Sequence, residues 1–435
     1  MNLPFTKQTL ANGLDVIVHE DRRMPLVAVS VWYHVGSKNE QPGRTGLAHL
    51  FEHLMFKGSA HQPRTFFEPL QEAGGTLNGS TSTDRTNYWE LVPAGAERLA
   101  LWMEADRMGW LLPALTEASF TTERDVVLNE RRQNYENRPY GMAPLAIMST
   151  MFPADHPYHW PTIGYSDDLH AASLDDARNF FSRYYHPGNA SLVIAGDVGA
   201  ADAFALAGEL FGGIPAGPPV TPVVVPQVRA DRRRIFFEDR VELPRLYLVW
   251  PSPALFASED AELDLVADLL ANGRTSRLYR RLIHERRIAT ELAASQSSRE
   301  LVSIFQIVAT AAPGHTLDEL NAIILDELRR VIDDGVTGDE LSRGQAQAEA
   351  AFVYRLQSLG GFGGKSDQLN AYNVYRQEPA YFDKDLQRYL SATTQGLQAA
   401  AGRWLDPDRA LALSVVPRGA AGDALADSAL ADGVR

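Results

Sequence analysis

The sequence predicts an α+β protein made of two homologous repeats, each a mixed β-sheet packed with helices. Short runs rich in β-branched and aromatic residues alternate irregularly with helical stretches, which favours mixed sheets over a doubly wound parallel sheet. A Pro/Gly-rich run divides the chain near its midpoint. Segments after this run resemble segments before it at an offset of about 215 to 220 residues, which indicates a duplicated unit.

Composition narrows the classes of function. The 435 residues are 45% hydrophobic and 22% charged, as in ordinary globular proteins, and this length predicts about two to three domains. A formal net charge of -14 argues against a nucleic-acid partner. No apolar run reaches the roughly 18 residues of a membrane-spanning helix, so we expect no membrane partner either.

Cysteine usage bears on the compartment. The chain has no cysteine, which excludes disulfides, cysteine zinc ligands and thiol catalysis. A long chain without thiols favours an oxidising compartment, so we expect a periplasmic location. No basic and apolar leader follows Met1, and a cytoplasmic location is therefore the alternative.

The first half of the chain predicts a sheet beside helices. Strands are predicted over residues 14–18 and 26–33, joined as a hairpin that leads into a helix. The later predicted elements are a helix over 65–72, strands over 76–83 and 86–92, helical structure over 94–138 with a break at Pro113, a helix over 173–185 and a strand over 190–195.

The helix after the second strand contains the pentapeptide His-Leu-Phe-Glu-His at residues 49–53. Apolar residues around it recur at the i, i+3, i+4, i+7, i+8 spacing of an amphipathic helix, namely Leu47, Leu50, Phe51, Leu54 and Met55. A helix of about three turns is predicted, with Thr45 as its N-cap and Gly58 as its stop.

Chemistry is predicted on the other side of this helix. His49 and His53 lie one turn apart, so both imidazoles can bind one divalent cation, and Glu52 lies beside them. This H-x-x-E-H spacing is the inverzincin motif and predicts half of a zinc site together with its general base. A chance meeting of these residues on one helix is the alternative.

Two acids follow on a later helix. Glu123, Val127 and Glu130 share one helical face, and two turns, about 10 Å, separate the glutamates. Both cannot bind the metal directly, so one is expected to bind and the other to support it. A solvated acidic face is the alternative.

A second histidine pair, His156 and His159, lies among prolines that exclude a regular helix. We expect an ordered loop here rather than metal ligands.

The duplication sets the domain bounds. Residues 244–250 resemble 25–32, and residues 265–273 resemble 50–58, which places Asp264, Ala267 and Asp268 where the first repeat has the two histidines and the glutamate. The second repeat should therefore lack a zinc site. The predicted domains are a catalytic repeat over 1–212, a linker over 213–228, a non-catalytic repeat over 229–417 and a disordered tail over 418–435.

Two motifs of the second half have ordinary interpretations. The glycine-rich run 360–364 before Lys365 is similar to a phosphate loop, but Leu359 stands where that loop requires glycine, so a flexible turn between helices is predicted. The basic run 232–234 has acidic neighbours and is predicted to be the solvated start of a strand.

Together, these residues resemble the pitrilysin-type (M16, inverzincin) zinc metallopeptidases. The similarity spans nearly the whole chain and is to the short two-repeat branch that includes the mitochondrial processing peptidase subunits, which implies a LuxS/MPP-like metallohydrolase fold. The resemblance implies Zn2+ bound by His49, His53 and Glu130. It also implies a supporting catalytic role for Glu123 and a substrate-binding role for Asn78.

The family resemblance implies a zinc-dependent endopeptidase that acts on peptides or unfolded segments. Glu52 would accept the proton of the attacking water and deliver it to the leaving amine. The peptide substrate would add as a strand to the sheet edge near Asn78.

The sequence departs from complete family members in its second repeat. Those members have an arginine and, seven residues later, a tyrosine, where this chain has Ile283 and Thr290. We therefore expect a heterodimer in which a related subunit supplies the Arg/Tyr pair, with a homodimer possible. Arg286 or Arg287 is the alternative source of the cation.

Two other functions are compatible with the sequence. A non-catalytic scaffold subunit is the first alternative, although a scaffold has no reason to keep the histidine pair and the aligned acids. Zinc-dependent hydrolysis of a substrate other than a peptide is the second, and it fits a strand-edge binding mode less well.

Overall fold

The computed structural model describes residues 3–431, which form two compact units. The first unit contains the chain up to Arg131 together with Trp160–Val223 and Phe352–Lys384. The second contains Arg132–His159, Val224–Ala351 and the chain from Asp385. These units differ from the predicted domain bounds because each includes a segment from the other half of the sequence.

The described residues form strands and helices, which we number in chain order. The strands are β1 (Thr6–Thr9), β2 (Asp15–Glu20), β3 (Leu26–Tyr33), β4 (Thr76–Thr81), β5 (Thr86–Pro93), β6 (Ala190–Gly196), β7 (Arg233–Asp239), β8 (Arg245–Ser252), β9 (Ala289–Ser297), β10 (Ser303–Ala311), β11 (Leu411–Pro417) and β12 (Ala429–Leu430).

The helices are α1 (Leu47–Leu54), α2 (Phe67–Glu72), α3 (Glu97–Ala114), α4 (Glu117–Arg131), α5 (Ala143–Met151), α6 (Ser166–Ala171), α7 (Leu174–Tyr184), α8 (Ala200–Phe211), α9 (Asp260–Ala271), α10 (Leu317–Asp333), α11 (Gly338–Arg355), α12 (Lys365–Arg376), α13 (Phe382–Leu390) and α14 (Thr394–Trp404). No helix within residues 3–431 is long and apolar enough to cross a membrane.

The sheet of the first unit has the strand order β1-β2-β6-β3-β5-β4. Strand β2 runs parallel to β6, and the other neighbouring strands are antiparallel, so the sheet is mixed as predicted. The expected hairpin between β2 and β3 is wrong, because β6 lies between them and pairs with both. Strand β6 is 170 residues away in the chain, and local turn signals cannot reveal such a partner.

The second unit repeats this topology, which confirms the duplication. Its sheet has the order β12-β7-β11-β8-β10-β9, with β7 parallel to β11 in the place of β2 and β6. Strands β8, β10 and β9 then follow in antiparallel pairs, as β3, β5 and β4 do in the first sheet. Both repeats are therefore α+β units with the same mixed sheet.

The predicted disordered tail is wrong for the part that the structure describes. Ala429–Leu430 pairs in parallel with β7, and Leu425 is buried with its N–H donating to Ser414 Oγ. The pairing satisfies backbone groups at an edge strand, which explains the order. Residues 432–435 lie outside the described residues.

The glycine-rich run forms the predicted turn between two helices, α11 and α12. Its glycines are needed for two reasons. Gly361 and Gly363 have φ values of 82° and 74°, and a Cβ on Gly360 would lie 2.8 Å from the Cβ of Ala28. Helix α12 follows directly and packs on β3 and β6. The run is therefore a tight structural turn rather than a phosphate loop.

Candidate metal centre

The start of α1 is built by a distant carboxylate. The helix begins at Leu47, and Gly46 stands at the N-cap with a φ of 93°. The buried Glu40 accepts hydrogen bonds from the backbone N–H groups of Gly46 and Ala48, at 2.9 and 2.8 Å. Burial raises the pKa of Glu40 to about 8, although these hydrogen bonds oppose the rise.

Thr45, the predicted N-cap, has another role. Its hydroxyl donates to Asp168 Oδ2 at 2.7 Å, which ties the start of α1 to α6. The helix ends at Leu54, so it is shorter than predicted, and Gly58 lies beyond it. The sequence indicates neither Glu40 nor Asp168, because both act across loops.

The apolar stripe of α1 is buried as predicted. Phe51 is fully buried, and its ring lies 5.4 Å from that of Phe181 and 5.3 Å from that of Tyr185. This packing fixes the rotation of the helix about its axis. His49 and His53 consequently share another side, with their ring centroids 4.9 Å apart.

Helix α4 brings a carboxylate to the histidine pair. Glu130 Oε2 lies 3.3 Å from His53 Nε2 and 3.8 Å from His49 Nε2. One ligand atom from each of the three residues lies within 4.8 Å of the others, and this is the only such group among residues 3–431. The structure therefore brings together the three predicted metal ligands.

The three side chains fit a zinc ion. Ligand atoms bound to zinc at 2.0–2.2 Å in a tetrahedral arrangement lie about 3.4 Å apart, close to the distances found here. His49 Nδ1 is buried without a hydrogen-bond partner in the described chain. The two-imidazole, one-carboxylate set is also the donor set of catalytic zinc sites that keep an open position.

The protonation of the histidines differs. Burial lowers the pKa of His49 to about 4, and the neighbouring His53 contributes to this shift, so the His49 imidazole is neutral near pH 7. Burial also lowers the pKa of His53, but the hydrogen bond to Glu130 and the nearby carboxylates raise it above the ordinary value overall. A neutral His49 is the form that binds a metal.

Glu123 lies beside the three ligands. It is 3% exposed, and its Oε2 lies 3.8 Å from His53 Nδ1, the nitrogen turned away from Glu130. Its Oε1 lies 2.9 Å from Lys57 Nζ. The two glutamates of α4 thus take different positions, as their two-turn separation predicts. Lys57, four residues after the motif, was not predicted from the sequence, although its helical spacing from His53 is a signal that could have indicated it.

Glu52 points to the sheet. Its Oε2 accepts a hydrogen bond of 2.7 Å from Thr81 Oγ1, at the end of β4. Burial raises the pKa of Glu52, and the bond to Thr81 opposes this rise. A carboxylate with a raised pKa beside the ligand group is a suitable proton acceptor. Thr81 was not predicted either, because only the tertiary contact reveals it.

Asn78 lies on β4, the edge strand of the first sheet. Strand β4 pairs with β5, and no other described strand pairs with its far side. The exposed Asn78 accepts a hydrogen bond from the N–H of Gly79 at 2.8 Å. A Cβ on Gly79 would lie 2.9 Å from the Tyr88 ring, so this strand needs glycine there. The edge can accept a further strand.

The second repeat has a different polar group at the equivalent position of α9. Asp264 Oδ2 accepts a hydrogen bond of 2.7 Å from the hydroxyl of Tyr389, and burial raises the pKa of Asp264 to about 7. Asp268 lies one turn later and bonds to Asn272. Hydrogen bonds within the repeat therefore satisfy these acids.

The positions of the expected Arg/Tyr pair hold other side chains. Ile283 lies in a π-helical turn, Tyr279–Glu285, and Thr290 is exposed near the start of β9. Arg286 and Arg287 are exposed directly after the turn, and Arg287 has a φ of 58°.

The second histidine pair forms an ordered loop, as predicted. His159 Nδ1 lies 2.7 Å from the carbonyl oxygen of Phe152, and His156 Nδ1 accepts from the N–H of Tyr158 at 3.0 Å. Neither histidine belongs to the metal-ligand group.

Comparisons with known proteins agree with this geometry. A family model described as Insulinase (Peptidase family M16) matches residues 15–159, and one described as Peptidase M16 inactive domain matches residues 171–348. The chain is 31% identical to a zinc protease of Helicobacter pylori, PqqE, over 80% of each chain. It is 26% identical to an uncharacterized zinc protease of Streptomyces coelicolor over 91% of this chain and 86% of the relative.

Solved structures have the same fold. A Helicobacter pylori protease aligns with a TM-score of 0.87 and 27% identity, covering 96% of this chain and all of that one. A peptidase M16 inactive domain from Pseudomonas fluorescens aligns with a TM-score of 0.85 and 18% identity, covering 95% and 98%. On the family models and the 31% identical relative, the chain belongs to peptidase family M16.

Proposed function

We propose that this chain is a zinc-dependent endopeptidase and the zinc-bearing subunit of a heterodimer. The main support is the convergence of His49, His53 and Glu130 from two helices, with Glu52 directly before His53 on the first of them. The relatives named zinc proteases support the same metal.

The ligand residues have defined roles in this proposal. His49, His53 and Glu130 would hold Zn2+. When bound, the metal would supply a Lewis acid that polarises a peptide carbonyl and lowers the pKa of a nearby water toward about 7. Glu123 supports His53 from the opposite side of the ring, which fixes the orientation of the imidazole.

Glu52 is the proposed general base. Its carboxylate would take the proton of the attacking water and return it to the leaving amine. The hydrogen bond from Thr81 holds one carboxylate oxygen and leaves the other for the reaction. Because Thr81 lies on β4, the same contact couples the base to the edge strand.

An extended peptide is the proposed substrate. The open edge of β4 offers backbone N–H and C=O groups to a strand added in register with Asn78. Main-chain hydrogen bonds of this kind place little demand on sequence, so peptides and unfolded segments are expected to bind.

Two measurements on Glu52→Gln test the mechanism. The variant should keep one zinc ion per chain and lose cleavage of an unstructured fluorogenic peptide by about 100-fold or more. His49→Ala should lose both metal and cleavage. Unchanged cleavage by a metal-loaded Glu52→Gln protein would exclude Glu52 as the base.

The heterodimer is proposed because Ile283 and Thr290 replace the Arg/Tyr pair. The isolated chain should cleave peptides slowly, and a related subunit with that pair should accelerate cleavage. The double variant Ile283→Arg, Thr290→Tyr examines whether a second copy can replace the partner. An isolated wild-type chain as fast as the reconstituted pair would exclude the heterodimer.

A scaffold subunit is the second candidate, since the Arg/Tyr pair is missing and residues 171–348 match a model described as an inactive domain. A chain purified with no zinc, and with no cleavage after zinc is added, would favour it. We also propose a periplasmic location on the cysteine-free composition, which cell fractionation tests.

A further inference from the structure

The two repeats differ after their third central strand. In the first repeat, α8 follows β6 and packs on β2 and α3. In the second repeat, β11 is followed by a short 3-10 turn, Ala421–Asp423, and by β12. No α-helix follows β11 in the chain through residue 431, so nothing equivalent to α8 is present in the described part of this repeat.

A cavity of about 170 Å3 lies between α10 and the start of β7. Its floor consists of small or apolar side chains from neighbouring strands, Leu248, Ala410 and Ala412. The wall is strongly cationic, because Arg232, Arg234 and Arg329 line it. We call this site the arginine cavity.

The secondary structure explains why three arginines meet here. Arg232 and Arg234 are two residues apart at the start of β7, so their side chains lie on one face of the strand. Asn321, Leu325 and Arg329 follow the i, i+4, i+8 spacing of one face of α10. Strand and helix periodicity thus direct the guanidinium groups and one amide to the same cavity.

The positive charge is only partly compensated. Asp408 is the one acid in the lining; it is 79% exposed and lies 3.0 Å from Arg329 Nη2. Arg234 donates to the carbonyl oxygen of Ala426 at 2.8 Å. Neither Arg232 nor Arg234 has a carboxylate within ion-pair distance in residues 3–431. Two guanidinium groups therefore remain available to an anion.

We propose that the arginine cavity binds a small phosphate-type oxyanion. Guanidinium groups bind phosphoryl oxygens in bidentate pairs, and three of them around one cavity suit a multiply charged tetrahedral anion. The volume equals that of roughly five or six water molecules, which fits one or two phosphoryl groups. With a net charge of -14, most of the surface repels anions, so binding depends on this local field.

Arg233 provides a matched control. It lies between the two cavity arginines in sequence but on the opposite face of the strand, where its Nη1 donates to the carbonyl oxygen of Thr150 at 3.0 Å. Its Nε also donates to Asp231. Arg233→Ala therefore removes the same charge from the same strand without changing the cavity.

The test is calorimetric titration of the full chain with inorganic pyrophosphate in low-salt buffer. Wild type should bind one equivalent, and Arg232→Ala/Arg234→Ala should bind at least tenfold more weakly. Arg233→Ala should stay within twofold of wild type. Binding should also weaken severalfold between about 20 and 150 mM NaCl, on the order expected when salt screens exposed charges.

Two further variants keep the result interpretable. Arg329→Gln changes the helix side of the cavity and should weaken binding even if the double variant folds poorly. His49→Ala should bind pyrophosphate like wild type, which separates the arginine cavity from chelation at the proposed zinc site. No binding by wild type, or equal weakening by Arg233→Ala and the double variant, would overturn the proposal.

Discussion

Lys57 Nζ lies 2.9 Å from one oxygen of Glu123, and the other oxygen of this buried carboxylate lies 3.8 Å from His53 Nδ1. The lysine compensates the charge of Glu123 and holds it on the outer side of the imidazole. Glu130 is thereby left as the carboxylate beside the inner nitrogens. The contact explains how two glutamates on one helix come to have different positions.

Replacing Lys57 with methionine should lower zinc affinity by about tenfold, because Glu123 loses the partner that orients it toward His53. Lys57→Arg keeps the charge and should retain most of the affinity. Zinc titration with a competing chelator measures both. Equal affinity in wild type and Lys57→Met would contradict this role.

The two glutamates of α4 should respond differently to substitution. Glu130→Gln should reduce zinc affinity by at least about 100-fold, because it changes a direct ligand, whereas Glu123→Gln should cost about 10-fold. The metal content of the purified variants and chelator competition measure the difference. A larger loss in Glu123→Gln would mean that the ligand and the support are reversed.

Thr81→Val should slow peptide cleavage by about tenfold with little change in zinc content, since the proposed base loses the hydrogen bond that orients it. The effect should appear in kcat rather than in KM. Thr81→Ser, which keeps the hydroxyl, is the control and should behave like wild type. An unchanged kcat in Thr81→Val would remove this contact from the mechanism.

The ion pair between Arg277 and Glu340 predicts a pH-dependent stability. Arg277 Nε lies 2.6 Å from Glu340 Oε1, and this hydrogen bond lowers the pKa of Glu340 to about 2. The ionised carboxylate stabilises the fold above its ordinary pKa of 4.5, and this contribution is lost as the pH falls toward 2. Glu340→Gln should cost about 1–3 kcal/mol at pH 7.

Urea unfolding of wild type and Glu340→Gln at several pH values measures this contribution. The difference in unfolding free energy should shrink as the pH falls from about 5 toward 2, because the carboxyl group then becomes uncharged like the amide that replaces it. A difference that stays constant over this range would mean that the pair contributes nothing through ionisation.

Local and long-range signals differ in how far they reach in this fold. Strand β3 and the apolar face of α1 were predictable, because residue alternation and helical spacing depend on neighbours in the chain. The hairpin between β2 and β3 was predicted wrongly, since β6 separates them. The tail was also predicted wrongly, because a weakly apolar segment gains its order only from the edge of β7.

The same distinction holds at the metal centre. The spacing of His49, Glu52 and His53 could be read from the sequence alone, because one helical turn places such residues together wherever the helix lies. Tertiary packing was needed to show which carboxylate approaches the inner nitrogens of the histidines. It also revealed Lys57 beside Glu123 and Thr81 beside Glu52. These contacts depend on how α1, α4 and β4 pack, and packing joins segments whose separation in the chain contains no periodic signal.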